Sequence, residues 1–257
     1  IDVAYTAMSS VVEVADEIKQ KVLAAIGASD SDKDKIQTEI VSLQQQLNFI
    51  AKAATFSGAN WLSVNSTTAN GHASDGVHNT AQIVSAFNRA SSGEITLGTI
   101  DLNVQSIKLY DAAAASNTTM GILEGLRDPD TGKRDDAATI AVAGTPAATD
   151  GYAISTLTVV GFGDAQVEDM LRVVDATLSE LTDAATTIGA VKKRIDMQQD
   201  FTRSLMDSID RGVGQLVDAD MNRESTRLKA LQVQQQLGIE ALTIANSNAQ
   251  NILALFR

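Results

Sequence analysis

Val167-Glu168-Asp169-Met170-Leu171-Arg172-Val173-Val174-Asp175-Ala176-Thr177-Leu178-Ser179-Glu180-Leu181 carries its apolar residues at alternating steps of four and three. The same two tracks continue through Ala185, Ile188, Ile195, Thr202, Met206 and Ile209, with Lys192 and Gln199 as interruptions. Side chains at this spacing line one face of an α-helix and demand a partner. Both prolines, Pro129 and Pro146, precede this region, so nothing in it forbids a very long helix. Gly212 and Gly214 then fall where the seven-residue pattern changes register, and we read them as a joint between two rods. Beyond them Met221, Leu228, Leu231, Leu242, Ala245, Ala249, Ile252 and Phe256 form a second track that ends in the greasy Asn251-Ile252-Leu253-Ala254-Leu255-Phe256-Arg257.

Working outward, the start of the chain offers compatible seams. Val11, Val14, Ile18, Val22 and Ala25 predict a helix over residues 1–26. Ser31 or Asp32 would cap a second helix carrying Ile36, Ile40, Leu43, Leu47 and Ile50. The short link between them implies an antiparallel pair, and a bundle with the 164–214 helix buries all three seams. Between the helical parts the character changes. Gly58, Asn60 and a Ser/Thr/Asn/Gly-rich run through residue 80 signal turns, and alternation at 95–104, 140–142 and 154–160 predicts strands. The expected fold class is mainly α, a long helical rod or coiled-coil bundle with a small inserted α+β domain.

Composition restricts what such a molecule does. A net charge of −12 opposes binding to nucleic-acid backbones or anionic lipid. Cysteine is absent, which excludes disulfides, thiolate metal sites and cysteine nucleophiles. No stretch reaches the roughly 18 continuous apolar residues of a membrane span, and residues 1–30 show no cleaved secretory signal. His72 and His78, with Asp75 between them, lack a third and fourth metal ligand at suitable spacing. Asp128-Pro129-Asp130-Thr131-Gly132-Lys133 lacks the later ligands of a calcium loop and reads as a turn. Gly161-Phe162-Gly163 is a loop rather than a nucleotide fingerprint, and no serine stands in a nucleophile elbow. Serines and threonines at 63–80 and 115–119 are candidate acceptors of O-linked sugars. We therefore expect no enzyme, no cofactor and no metal.

The last segment points instead to assembly. Asp218, Asp220, Glu224 and Glu240 balance Arg223, Arg227, Lys229 and Arg257, so residues 215–257 carry no net charge while the rest of the chain holds the whole −12. Closely stacked identical segments need that balance, because self-repulsion grows with their density. Two bland readings compete: a C-terminal core helix of a monomer, and a membrane-surface helix, for which the basic polar face is missing.

The run Gly212-Val213-Gly214-Gln215-Leu216-Val217-Asp218-Ala219-Asp220-Met221-Asn222-Arg223-Glu224-Ser225, with Leu231-Gln232-Val233-Gln234-Gln235-Gln236-Leu237-Gly238, Ile244-Ala245-Asn246 and the closing seven residues, resembles the C-terminal region of bacterial flagellins, most of all the rhizobial type. Ile36-Gln37-Thr38-Glu39-Ile40 through Phe56-Ser57-Gly58-Ala59-Asn60-Trp61-Leu62 is similar to the helix and turn before the flagellin variable domain. The resemblance covers residues 1–65 and 164–257. It implies an exported, extracellular structural subunit of the swimming filament that uses type III export without a cleaved signal peptide. Its domains would be 1–65 and 164–214 as a rod packed through Ile36, Ile40, Leu43, Leu47, Leu171, Leu178, Leu181, Ile188 and Ile195. Residues 66–163 would form a variable outer domain, and 215–257 an inner-core helix. The other half of that inner coiled coil would lie in about 80 residues upstream of Ile1. Implied partners are other flagellin subunits, hook-associated and cap proteins and an export chaperone. In the Lys19–Ile26 stretch Val22 stands where receptor-activating flagellins carry an acid, which argues against recognition by the innate immune receptor. A hook–filament junction protein, and an adhesin or binding module on a helical stalk, are the alternatives.

Overall fold

The computed structural model describes the backbone of residues 1–56, 58–65, 80–89, 94–114 and 116–255, and the side chains of these except 86–89, 218–220 and 248–255. Three helices dominate: α1 (Asp2–Ala25), α2 (Asp30–Ala53) and α3 (Asp164–Leu255). The described residues divide into two compact units, Ile1–Gln198 and Gln199–Arg257.

In the first unit α1 buries Met8, Val11, Ala15, Ile18 and Val22, a stripe at three- and four-residue steps. Its partners on α3 climb as α1 descends, so the pair is antiparallel. Lys192 meets Asp2, the Tyr5 ring lies over Gly189, Lys19 bonds Asp175 at 2.5 Å, and Gly27 donates its N–H to Asp164 at 3.1 Å. A side chain at Gly189 would stand 3.2 Å from the Tyr5 ring, so the absent Cβ makes room for the ring. Lys21–Glu39 ties α1 to α2. Gly27, at φ +71°, turns the chain between them, and Ser29 caps α2 by accepting the Asp32 N–H. Capping thus falls to Ser29 rather than to Ser31 or Asp32, because α2 begins at Asp30 and the orphan amides lie one step earlier.

Apart from one longer ribbon, the described strands are two residues each. β1 (Thr55–Phe56) and β2 (Ala59–Asn60) form a hairpin. β3 (Ser63–Val64) runs parallel to β6 (Tyr110–Asp111). β4 (Thr80–Arg89) and β5 (Ile95–Asn103) make an antiparallel ribbon, and β7 (Thr139–Ile140) pairs with β8 (Asp150–Gly151). The alternation at 95–104 is thus a strand, whereas 154–160 is not. Ile154–Thr156 is a 3₁₀ turn, and the chain beyond it is held by side chains of α2. Gln44 donates to the Ile154 and Leu157 carbonyls at 2.8 and 2.9 Å, while Gln37 accepts the Val159 N–H at 2.8 Å. Two glutamines seven residues apart on one helix face replace the neighbouring strand that alternation alone presupposes.

The middle region does not stand apart as a separate inserted domain. Ile100, Leu102, Ile107, Leu109, Ile122, Leu123, Ile154, Leu157 and Phe162 belong to the same buried cluster as Ile18, Leu47, Met170 and Leu181 of the helices. Loop layer and helices are too small to bury their apolar faces separately, so they share one core. Gly121 permits the close approach inside that layer: a Cβ there would lie 2.1 Å from the Leu109 carbonyl oxygen. Within it, buried Lys108 and Asp111 pair at 2.7 Å. The layer is fastened to α3 by Glu180, which pairs with Arg127 and, at 2.7 Å, with Arg134. Arg127 is buried and also reaches the Gly132 carbonyl at 3.0 Å. Removing the carboxylate strands a buried guanidinium. We expect Glu180→Ala to lower unfolding free energy by about 3–5 kcal/mol, and Arg134→Ala, at the wetter end of the clamp, by clearly less, as read by urea unfolding.

Candidate functional site

The nine residues expected to pack the rod lie in or against the core of the first unit. Ile40, Leu47, Leu181 and Ile188 are fully buried, and Ile36, Leu43, Leu171, Leu178 and Ile195 are half-buried against the same core. On α3 the deepest positions also include Met170, Val173, Thr177 and Ala184. The buried face is therefore centred about one residue N-terminal of the Leu171–Leu178 track, since α1 and the loop layer cover the helix from two sides.

The second unit presents the opposite condition. α3 is helical through Gly212 and Gly214, so the glycines do not break it. A helical glycine costs about 1 kcal/mol against alanine, too little to end a helix of this length. What changes near them is the phase of the apolar track. Thr202/Met206 and Ile209/Val213 keep one seven-residue register, which would place its next pairs at 216/220 and 223/227. The downstream pairs are Glu224/Leu228, Leu231/Gln235, Gly238/Leu242 and Ala245/Ala249. One extra residue has entered the count, which turns the stripe by roughly 100° about the axis.

Met221, Leu228, Leu231 and Leu242 are all more than half exposed, Leu242 at 72%, and Ala245 is exposed as well. The backbone at Ala249 and Ile252 is helical, while their side chains, and Phe256 altogether, lie outside the described residues. Val233, Leu237 and Ile244 escaped the single-seam reading. They lie two residues, roughly 200°, from the Leu231–Leu242 track, so the helix is apolar on opposite faces. Leu237 is 64% exposed. A helix with two bare apolar faces needs more than one neighbour.

Among the described residues no group of three or more His, Cys, Asp or Glu could hold a metal ion, and no helix is long and apolar enough to cross a membrane. His72, Asp75 and His78 lie outside the described residues. The 128–133 segment is a turn in which Asp128 accepts the Asp130 and Thr131 N–H groups. Gly161, at φ +77°, and Phe162, whose carbonyl accepts the Lys33 ammonium, form the loop before α3. Thr118 donates to Asp136 through both its N–H and its hydroxyl, which lowers the Asp136 pKa.

The electrostatics of the first unit concern helix ends. Asp164 is held below its ordinary 3.8 by the Gly27 N–H and then by Lys33, and Asp2 by Lys192. Burial pushes Glu124 the other way, against the Asp111 N–H that it accepts. Tyr152 rises to about 12, chiefly through burial.

The family described as the bacterial flagellin N-terminal helical region matches residues 1–67, and the bacterial flagellin C-terminal helical region matches residues 171–256. Flagellin C of Rhizobium meliloti (strain 1021) is 43% identical over 260 residues, spanning 100% of this chain and 77% of its own length. Flagellin A of Rhizobium meliloti is 37% identical over 331 residues, spanning 100% and 82%. The flagellin of Brucella melitensis biotype 1 is 37% identical over 261 residues, spanning 100% and 74%. Among solved structures, FliC from Burkholderia pseudomallei aligns with a TM-score of 0.41 at 15% identity, over 75% of this chain and 97% of that one.

Two outcomes follow from the electrostatics and the helix. A carboxyl whose folded pKa is depressed contributes stability that is complete above its unfolded value and lost as pH falls through the folded one. The melting temperature of the chain should therefore drop below about pH 4, and the drop should be shallower in Asp164→Asn, in a pH series of thermal melts. Gly212→Ala should slow amide hydrogen exchange around residue 212, by the about 1 kcal/mol that separates the two residues in a helix.

Proposed function

The chain belongs to the bacterial flagellin family and is a structural subunit of the extracellular flagellar filament; we propose that successive segments of the chain divide that work. Residues 1–65 and 164–214 act as the rod, 66–163 as the outward part whose inner residues such as Ile107 and Leu123 share the rod's core, and 215–257 as the inner-core segment. The observation that carries this reading is the pair of bare apolar faces on α3, Leu228–Leu242 and Val233–Ile244, on a segment without net charge. Burial of such surface contributes about 25 cal/mol per Å², so stacking many copies supplies the free energy that the isolated segment lacks. Met221, Leu228, Leu231, Leu242, Ala245, Ala249, Ile252 and Phe256 face neighbouring helices in this arrangement.

The same segment would meet hook-associated and cap proteins at the filament ends and an export chaperone before assembly. Export runs without a cleaved signal peptide, and the subunit performs no catalysis. Val22 is buried against the core while Leu23 is exposed, so the Lys19–Ile26 stretch offers no acidic side chain at that position to an innate immune receptor. The Ser/Thr clusters at 63–80 and 115–119 are candidate acceptors of O-linked sugars.

Electron microscopy of seeded elongation tests the arrangement. Leu242→Glu and Leu237→Glu, on opposite faces, should each cut filament mass at least about tenfold, with the melting of the first unit unchanged. Normal elongation by both variants would defeat the two-faced reading.

A further inference from the structure

Among the described residues, Lys108–Asp111 is the ion pair whose two side chains are both buried, at 3% and 0% exposure, with the ammonium nitrogen 2.7 Å from Asp111 Oδ2. The backbone that carries the two residues is held on both sides. The Leu109 and Tyr110 N–H groups donate to the Leu62 carbonyl at 2.8 and 3.0 Å, and the Lys108 carbonyl accepts the Ile122 N–H at 2.9 Å. Ile107 and Leu109, on either side of Lys108, are fully buried. The carboxyl is fixed as well, since its Oδ1 accepts the Ala113 N–H at 3.2 Å. Glu124 closes the group. Its Oε2 accepts the Asp111 N–H at 2.7 Å, and it lies close enough for the Asp111 and Lys108 charges both to act on it. Burial holds the Glu124 carboxyl above its ordinary 4.5, so it keeps a proton to higher pH than a free glutamate does.

We propose that Lys108 and Asp111 join in an intramolecular isopeptide bond, Nζ to Cγ, with loss of one water. Two ions held out of water in an apolar layer are costly, and one neutral amide in their place removes that cost. The hydrogen-bonded nitrogen lies at near-attack range of the carboxyl carbon, on the order of 3–3.5 Å, and a turn about Cβ–Cγ presents the face of that carbon to it. The ammonium passes one proton across the contact to Oδ2, and the freed lone pair of Nζ attacks Cγ. Negative charge gathers on Oδ1, where the Ala113 N–H meets it. Glu124 takes a second proton from the nitrogen and returns its own to Oδ2, which leaves as water. The nitrogen thus gives up two of its three protons, the departing oxygen gains two, and Glu124 ends as it began. This is a single self-directed closure rather than turnover. A chain without cysteine has no disulfide to fasten its loop layer, so a covalent tie there has to use other side chains. The amide braces the β3–β6 pair, in which Asp111 stands opposite Val64.

The intact mass of the purified, folded chain reads the bond directly. The expected mass is one water below that of the sequence, and tandem fragmentation should place the deficit between Lys108 and Asp111. Once the chain is unfolded, trypsin should fail to cut behind Lys108, because an acylated lysine carries no charge. A full-mass chain that trypsin cuts there overturns the inference. So does a deficit that hydroxylamine reverses, since that marks a cyclic imide, for which Asp150-Gly151 is the ready position. Lys108→Arg, whose delocalised guanidinium keeps the charge but is a poor nucleophile, should restore the full mass, and a persisting deficit overturns the assignment. Glu124→Gln should slow closure at least about a hundredfold, seen as full-mass chain persisting in samples taken at intervals after synthesis, with helix content unchanged. Closure at the wild-type rate overturns the part given to Glu124.

Discussion

The antiparallel packing of α1 on the first part of α3 is the contact from which the rest of the first unit hangs. Met8, Val11, Ile18 and Val22 meet Val167, Val174, Leu181 and Ile188 in one core, and polar pairs at Asp2–Lys192 and Lys19–Asp175 set the register. The apolar stripe supplies the free energy. The ion pairs are exposed and supply little of it, so their contribution is to favour one alignment of two rather uniform helices over its neighbours. Once α1 and α3 are aligned, α2 follows through a turn fixed by Gly27 and Ser29, and the loop layer follows through Glu180.

Most of the helical frame was legible because a 3.6-residue period writes itself locally. Ile40, Leu47, Leu181 and Ile188 could be placed in a packed seam from spacing alone. The loop layer could not. Arg127 and Arg134 meet a glutamate on α3 some fifty residues away, and nothing near them in the chain announces it. The segment 154–160 shows the converse error: its alternation is genuine, but the partner is a pair of glutamine side chains rather than a strand. Likewise the shared core of loops and helices is a tertiary fact, invisible to a reading that divides the chain by changes in composition.

The exposed apolar surface of the second unit was half legible. Counting sevens found Leu228, Leu231 and Leu242, yet it presupposed a single seam and so passed over Val233, Leu237 and Ile244 on the far side. The glycines were misjudged for a related reason. Gly212 and Gly214 do coincide with a change of register, but helix continuity depends on backbone hydrogen bonds that glycine does not remove. The change is a rotation of the sticky stripe along an unbroken cylinder.

The seating of residues 154–159 on α2 has a mutational side. Gln37 and Gln44 grip carbonyls and an amide hydrogen of the main chain, never a side chain. Such recognition is blind to residue identity, and being uncharged on both sides it is also indifferent to ionic strength. Substitutions at its exposed positions, Thr156 and Thr158, therefore leave the polypeptide path beneath pinned, whatever side chain they bring.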